Sequence, residues 1–167
     1  ETITIDMIKY SLDENTHTAT VVDVVKDRGW GDNSSITEAN IRSSVTYKGT
    51  SYRVTKINNY AFLECNRLQT VSIPNSIQTI GKGAFRRCTA LTTVAISAKE
   101  IGEEAFQDCT NLQYITLNEG VTKIGENAFW GKFTSITIPN SVTVIGSGAF
   151  KAPQLQSVKF GTGIRRI

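Results

Sequence analysis

One histidine, His17, is all the imidazole this chain offers in 167 residues, beside three cysteines, three prolines, one methionine and two tryptophans. A hydrolytic triad needs a histidine placed against a nucleophile. His17 falls in "DENTH", a polar stretch between two strand-like segments, so a solvated loop residue is the default reading. No apolar run approaches the roughly 18 to 20 residues that a membrane span requires. No charged-then-apolar leader precedes Glu1, so a signal is expected to be absent or already removed. Hydrophobic content of 40% and charged content of 20% are those of a folded chain.

Concentrated charge of one sign is also missing. The net charge is +3. Residues 1–56 hold 7 Lys+Arg against 8 Asp+Glu, residues 99–126 hold 2 against 6, and residues 127–167 hold 5 basic residues and no acid. A nucleic-acid reader shows a basic stripe with interleaved aromatics. Here an acidic segment interrupts the basic residues, and nucleic acid is not an expected partner.

What the sequence has is repetition. Ala-Phe recurs at Ala61-Phe62, Ala84-Phe85, Ala105-Phe106, Ala128-Phe129 and Ala149-Phe150, with Phe spacings of 23, 21, 23 and 21. Four residues before each Ala stands Ile57, Ile80, Ile101, Ile124 or Ile145, and Ile167 falls where a sixth would stand. After each Phe comes an apolar set of strand period: Leu68/Val71/Ile73, Leu91/Val94/Ile96, Leu112/Ile115/Leu117, Phe133/Ile136/Ile138 and Leu155/Val158/Phe160. All seven Phe therefore fall in expected core slots.

A unit of 21–23 residues with one short strand fits the leucine-rich-repeat period. Such a unit cannot cover its own apolar side, so units stack into a solenoid and share one core. The fold expected is an α/β solenoid: five coils over residues 57–167, parallel strands on one face, a short helical or 3₁₀ return on the other. The array is expected to continue, or to be truncated, beyond its carboxy-terminal end. Gly81, Gly102, Gly125 and Gly146 follow the Ile, with Asn58 in the first unit, which suggests a positive-φ turn there. Residues 1–56 form a β-rich amino-terminal cap. In it "TITIDMIKYSL" and "TATVVDVV" read as two strands, Ile36, Ala39 and Ile41 as a degenerate coil, and "TYKGTSYRVTKI" as a hairpin turning at Lys48-Gly49.

The stretches "LQTVSIPNSIQTIGKGAFRRC", "LTTVAISAKEIGEEAFQDC", "LQYITLNEGVTKIGENAF" and "FTSITIPNSVTVIGSGAF" resemble the BspA-like leucine-rich-repeat family, surface proteins of mucosal bacteria and some mucosal protozoa. "VTYKGTSYRVTKINNYAF" resembles that family's usual entry segment. The resemblance implies an extracellular or cell-surface adhesin that engages a host or matrix protein. Unlike ordinary leucine-rich repeats, the chain lacks an Asn ladder after the strand. Ser76 and Ser141 stand near that place, so hydroxyls, backbone or water must satisfy the turn amides.

Candidates for chemistry are few. Cys65, Cys88 and Cys109 each lie three residues after a Phe. A line of thiols, one per coil, gives no tetrahedral metal cage, and side chains in a ladder point in parallel rather than at each other. Buried free thiols are the leading reading, with one disulfide or a metal as alternatives. Glu103, Glu104 and Asp108 cluster on one return segment, but paired carboxylates act as acid and base only across a cleft. The Gly-x-Gly of "GKGAF" and "GSGAF" lacks the context of a phosphate loop. Asn33-Ser34-Ser35 is a glycosylation sequon by pattern. No cofactor, no metal and no catalytic activity are expected.

The strand face remains. Its outward columns are Gln69, Thr92, Gln113, Thr134 and Gln156; then Thr70, Thr93, Tyr114, Ser135 and Ser157; then Ser72, Ala95, Thr116, Thr137 and Lys159. The candidate ligand-binding residues are Thr70, Ser72, Thr93, Tyr114, Thr116, Ser135, Thr137, Ser157 and Lys159. A nearly uncharged, hydroxyl-rich surface with one aromatic could bind a protein segment or a glycan. Alternatively, Thr and Ser merely suit exposed strand positions, and the module is a structural spacer or a glycan-binding accessory region of a larger cell-surface protein.

Overall fold

A computed structural model describes residues 1–26 and 34–167, in which alternating apolar and polar residues make seventeen short strands. The amino-terminal part contributes β1 (Thr2–Ile5), β2 (Ile8–Asp13), β3 (Thr18–Val24), β4 (Glu38–Asn40), β5 (Ser44–Tyr47) and β6 (Thr50–Ile57). The repeats contribute β7 (Thr70–Ser72), β8 (Thr79–Ile80), β9 (Thr93–Ile96), β10 (Glu100–Ile101), β11 (Tyr114–Leu117) and β12 (Lys123–Ile124). They continue with β13 (Phe129–Trp130), β14 (Ser135–Thr137), β15 (Val144–Ile145), β16 (Phe150–Lys151) and β17 (Ser157–Lys159). The chain coils as a β-solenoid, and each coil presents a strand side, an isoleucine side and a phenylalanine side.

The isoleucine side carries the longest sheet. β6, β8, β10, β12 and β15 pair in parallel, placing Ile57, Ile80, Ile101, Ile124 and Ile145 in one register. β3 joins this sheet in parallel beside β6, and β2 and β1 extend it antiparallel. The same sheet thus runs from the amino-terminal strands into the repeats without an interruption at β6. β5 folds back on β6 through Lys48 (φ 47°) and Gly49 (φ 81°), the expected hairpin turn.

Four expectations need correction. "TITIDMIKYSL" is not one strand but a hairpin, β1–β2, turning at Asp6 (φ 49°) and Met7 (φ 66°). The return segment contains no helix among the described residues. Its N–H groups alternate between tight-turn bonds within the coil, as in Arg86 N–H to Gly83 O (3.0 Å), and bonds to the next coil, as in Phe85 N–H to Ala105 O (2.8 Å) and Phe106 N–H to Ala128 O (2.7 Å). Because every second N–H leaves for the neighbouring coil, the turns do not join into a helix.

The third correction concerns the glycines after each Ile. None has positive φ. The left-handed positions lie further on, at Tyr60, Gly83, Glu104, Asn127 and Gly148, each two residues before a core Phe. What Gly81, Gly102, Gly125 and Gly146 supply is the absence of a side chain. A Cβ on Gly125 would stand 2.5 Å from the carbonyl carbon of Gly102, and one on Gly146 2.6 Å from that of Gly125. Asn58 escapes this restriction because its coil rests on β3, where its N–H bonds Val21 O at 2.8 Å.

Fourth, Phe160 does not fill a core slot; it is 55% exposed. Phe150, in the same last coil, is only partly buried. Phe62, Phe85, Phe106 and Phe129 are fully enclosed, and all five Phe of the ladder stack nearly parallel. Ring centroids lie 4.8, 5.0, 5.2 and 5.7 Å apart, close to the separation of adjacent strands. The coil rise sets the ring spacing.

Candidate functional site

Strand alternation builds the outward face. Val94 and Ile136 point into the core with Val71, Ile115 and Val158 packed against it, so the residues between them must point away. All nine candidate residues are exposed: Thr70, Ser72, Thr93, Tyr114, Thr116, Ser135, Thr137, Ser157 and Lys159. Tyr114 is 66% exposed. Register fixes their neighbours, with Tyr114 beside Thr93, Thr116 beside Ala95, Ser135 beside Ser157, and Thr137 beside Lys159.

The degenerate coil lengthens this face. β4 pairs in parallel with β7, setting Glu38 beside Thr70 and Asn40 beside Ser72. These two exposed residues were missed as face residues, although the Ile36-Ala39-Ile41 spacing carries the signal for them. The face therefore begins at the carboxylate of Glu38 and ends at the ammonium of Lys159. Between them it is uncharged. β7 lies against β9, and β11 against β14, without a continuous ladder, so the face is three strand pairs rather than one sheet.

Several polar groups on the other sides link neighbouring coils. Lys82 Nζ donates to Glu103 at 2.9 Å, and Arg86 Nη1 to Glu104 at 3.0 Å. Arg87 Nη1 donates to Glu64 at 2.6 Å and lies 3.8 Å from Asp108 through Nε. The acidic cluster of Glu103, Glu104 and Asp108 is thus a set of ties between neighbouring coils. Ser141 Oγ donates to Val121 O (2.7 Å) and accepts from Gly120 N–H (3.0 Å), doing part of the work of the missing Asn ladder. Ser76 Oγ, buried at the equivalent place, has no partner among the described residues. The strand face differs: none of its nine candidate side chains makes a hydrogen bond or ion pair within the protein among the described residues.

The three cysteines are free and buried. Cys88 Sγ donates to Phe62 O at 3.2 Å and Cys109 Sγ to Phe85 O at 3.1 Å, so each thiol ties its coil to the one before. Burial pushes the Cys65 and Cys109 thiols up to about 12 and holds Cys88 well above the ordinary thiol range. Protonated, enclosed thiols are poor nucleophiles. His17 sits on the β2–β3 turn (φ 51°), with its ring 6.1 Å from that of Tyr52. Ser34 and Ser35 of the sequon are described, whereas Asn33 lies outside the described residues. No helix among the described residues is long and apolar enough to cross a membrane.

Comparison with known proteins places this geometry. The BspA type leucine rich repeat region matches residues 55–167 in six copies. A leucine-rich repeat protein from Bacteroides ovatus shares 32% identity over 94% of this chain, with a TM-score of 0.81; this chain spans 40% of that protein's length. A leucine-rich repeat protein of T. pallidum is 28% identical over 95% of this chain and 71% of its own, with a TM-score of 0.78. A leucine rich cell surface protein from Faecalibacterium prausnitzii, 22% identical over 96% of this chain and 54% of its own, has a TM-score of 0.52 and shows a shared fold alone. No curated protein matches. With two thirds of its length matched in consistent register, the chain belongs to the BspA-type leucine-rich-repeat family.

Proposed function

We propose that this chain is a binding or adhesion module acting outside the cell, its strand face engaging an extended segment of a host or matrix protein. The observation that carries the reading is the contrast between sides. Elsewhere a set of charged and hydroxyl groups, such as Lys82, Arg86 and Ser141, ties coil to coil, whereas none of the nine candidate side chains on the strand face does so. Hydrogen-bonding capacity left free on a rigid surface is available to a partner at little ordering cost. Tyr114 is the anchor, since tyrosine brings large contact area with few rotors to freeze. Thr93, Thr116, Ser135 and Thr137 surround it.

Placement outside the cell draws on the family and on relatives described as a cell surface protein and as a pneumococcal vaccine antigen. The reading assigns no catalytic role: esters, peptides and glycosides should not be turned over. The test is a binding array of extracellular-matrix proteins and glycans, probed with wild type and Tyr114→Ala. Loss of binding with folding intact supports the strand face. Binding kept in the variant moves the site to the basic coils around Lys151, Lys159, Arg165 and Arg166. The absence of any partner favours a spacer.

A further inference from the structure

The repeats depart from regularity at two places: the turn from Ile96 to Ile101, two residues shorter than its counterparts, and the corner that follows the core Phe. Between the core Phe and the next core apolar residue, the first three coils place five residues each (63–67, 86–90 and 107–111). The fourth places three, Trp130-Gly131-Lys132, and the fifth places four, residues 151–154. The two missing residues include the cysteine slot. The chain takes the shortcut by laying Gly131 directly on the preceding coil. Lys132 N–H donates to Leu112 O at 2.7 Å, and a Cβ on Gly131 would stand 2.4 Å from that same oxygen. Only glycine permits this approach.

The shortcut leaves a notch in the wall of the solenoid, between Thr110 of the third coil and Pro153-Gln154 of the fifth, with Trp130 and Lys132 beside it. Trp130 is half-buried and held in register by pairing with Lys151. Lys151 Nζ lies over the indole ring, 5.8 Å from its centre, and Lys132 Nζ donates to Asn111 Oδ1 at 2.9 Å. The notch thus has one lysine, Lys132, in its lining and a second, Lys151, over the indole that borders it. No acidic residue follows Glu126 in the sequence, and neither lysine has a carboxylate partner among the described residues.

We propose that this notch binds a sugar that bears a carboxylate. An indole offers an apolar plate for the C–H face of a pyranose, and Thr110 and Gln154 offer hydroxyl and amide groups for its hydroxyls. The carboxylate pairs with Lys132 and Lys151. Charge-assisted hydrogen bonds of this kind are the stronger ones. The Lys151 contact with the ring lies at the outer limit for a cation–π pair, so a carboxylate draws the ammonium away and leaves the indole face to the sugar. The notch lining shares no residue with the nine strand-face candidates, Tyr114 among them.

Calorimetric titration of the chain with 3′-sialyllactose, tri-galacturonic acid and lactose tests the proposal. At least one acidic sugar should bind, with lactose weaker by about tenfold or more. Trp130→Ala and the double variant Lys132→Gln/Lys151→Gln should each weaken acidic-sugar binding by about tenfold, and Tyr114→Ala should leave it unchanged. The preferred acidic sugar distinguishes a sialylated glycan from a uronate polymer. If Trp130→Ala fails to fold, the double lysine variant, which alters two exposed side chains, decides alone. Equal affinity for lactose and both acidic sugars, binding of none, or binding undiminished in the double variant would overturn the proposal.

Discussion

A Cβ on Gly102 would stand 2.7 Å from the carbonyl carbon of Gly81, closer than non-bonded atoms approach. That single relationship, repeated along Gly81, Gly102, Gly125 and Gly146, sets how tightly the coils stack. The isoleucine-side bonds depend on it: Gly102 N–H reaches Ile80 O, and Gly125 N–H reaches Ile101 O, both at 2.8 Å. Gly102→Ala should therefore destabilise the fold by about 1–3 kcal/mol or more through overpacking. Gly49→Ala meets nothing within 4 Å and should show only the smaller cost of its positive φ. Urea denaturation of the two variants checks the ordering.

The phenylalanine ladder gives a second expectation. Phe106 is fully buried between Phe85 and Phe129, and Phe106→Ala should cost about 3–5 kcal/mol. Gln107, which follows it, is not a neutral control, because its Oε1 is buried without a partner among the described residues. Thr93 is exposed on the strand face, and Thr93→Ala should cost under about 0.5 kcal/mol. Equal denaturation midpoints for Phe106→Ala and Thr93→Ala would contradict the assigned core.

Cysteine chemistry yields a third. In the folded chain the three thiols should resist a disulfide-exchange reagent at pH 8 and react once the chain is unfolded. Their linkage to pH has a definite sign. Burial raises the folded value to about 12 for Cys65 and Cys109, while the unfolded chain releases those protons near the ordinary value of about 8.5. The unfolded state then binds fewer protons than the folded state, so stability falls as pH rises from about 8.5 toward 12. Lysines and tyrosines titrate in the same range. A variant with all three cysteines replaced by alanine isolates the thiol contribution: its loss of stability between pH 8 and pH 10.5 should be smaller than that of wild type.

How far the sequence carries the fold differs from side to side. The Ile and Phe columns are readable because each coil repeats the same apolar demand at the same offset. The degenerate coil is readable for the same reason, through Ile36, Ala39 and Ile41. The role of the glycines is not readable from one coil, since a positive-φ turn and a close backbone approach select the same residue. Only the stacked neighbour decides between them. Phe160 illustrates a related limit, because a core slot in the repeat becomes a core residue only where a further coil covers it.

The candidate face was readable in its composition, and its unengaged state was not. Exposed hydroxyls satisfy strand propensity equally well whether or not they serve a ligand. What marks the strand side is that none of its nine candidate side chains makes a coil-to-coil bond of the kind seen from Lys82 to Glu103 and from Thr143 Oγ1 to Thr122 O (3.1 Å). The notch beside Trp130 was likewise present in the sequence as a two-residue shortening, masked because the resulting 21-residue Phe spacing equals that of the second coil, whose shortening lies between Ile96 and Ile101.

The most direct measurement of the account is the affinity of the Tyr114→Ala chain for a captured protein partner, set beside wild type and beside Lys151→Gln. An anchor residue at the centre of a face should cost about 2 kcal/mol, or roughly thirtyfold in Kd, when truncated. The account predicts that loss for Tyr114→Ala, with an unchanged denaturation midpoint and with Lys151→Gln binding as wild type does. Full affinity in Tyr114→Ala together with loss in Lys151→Gln would contradict it and remove the strand face as the binding surface.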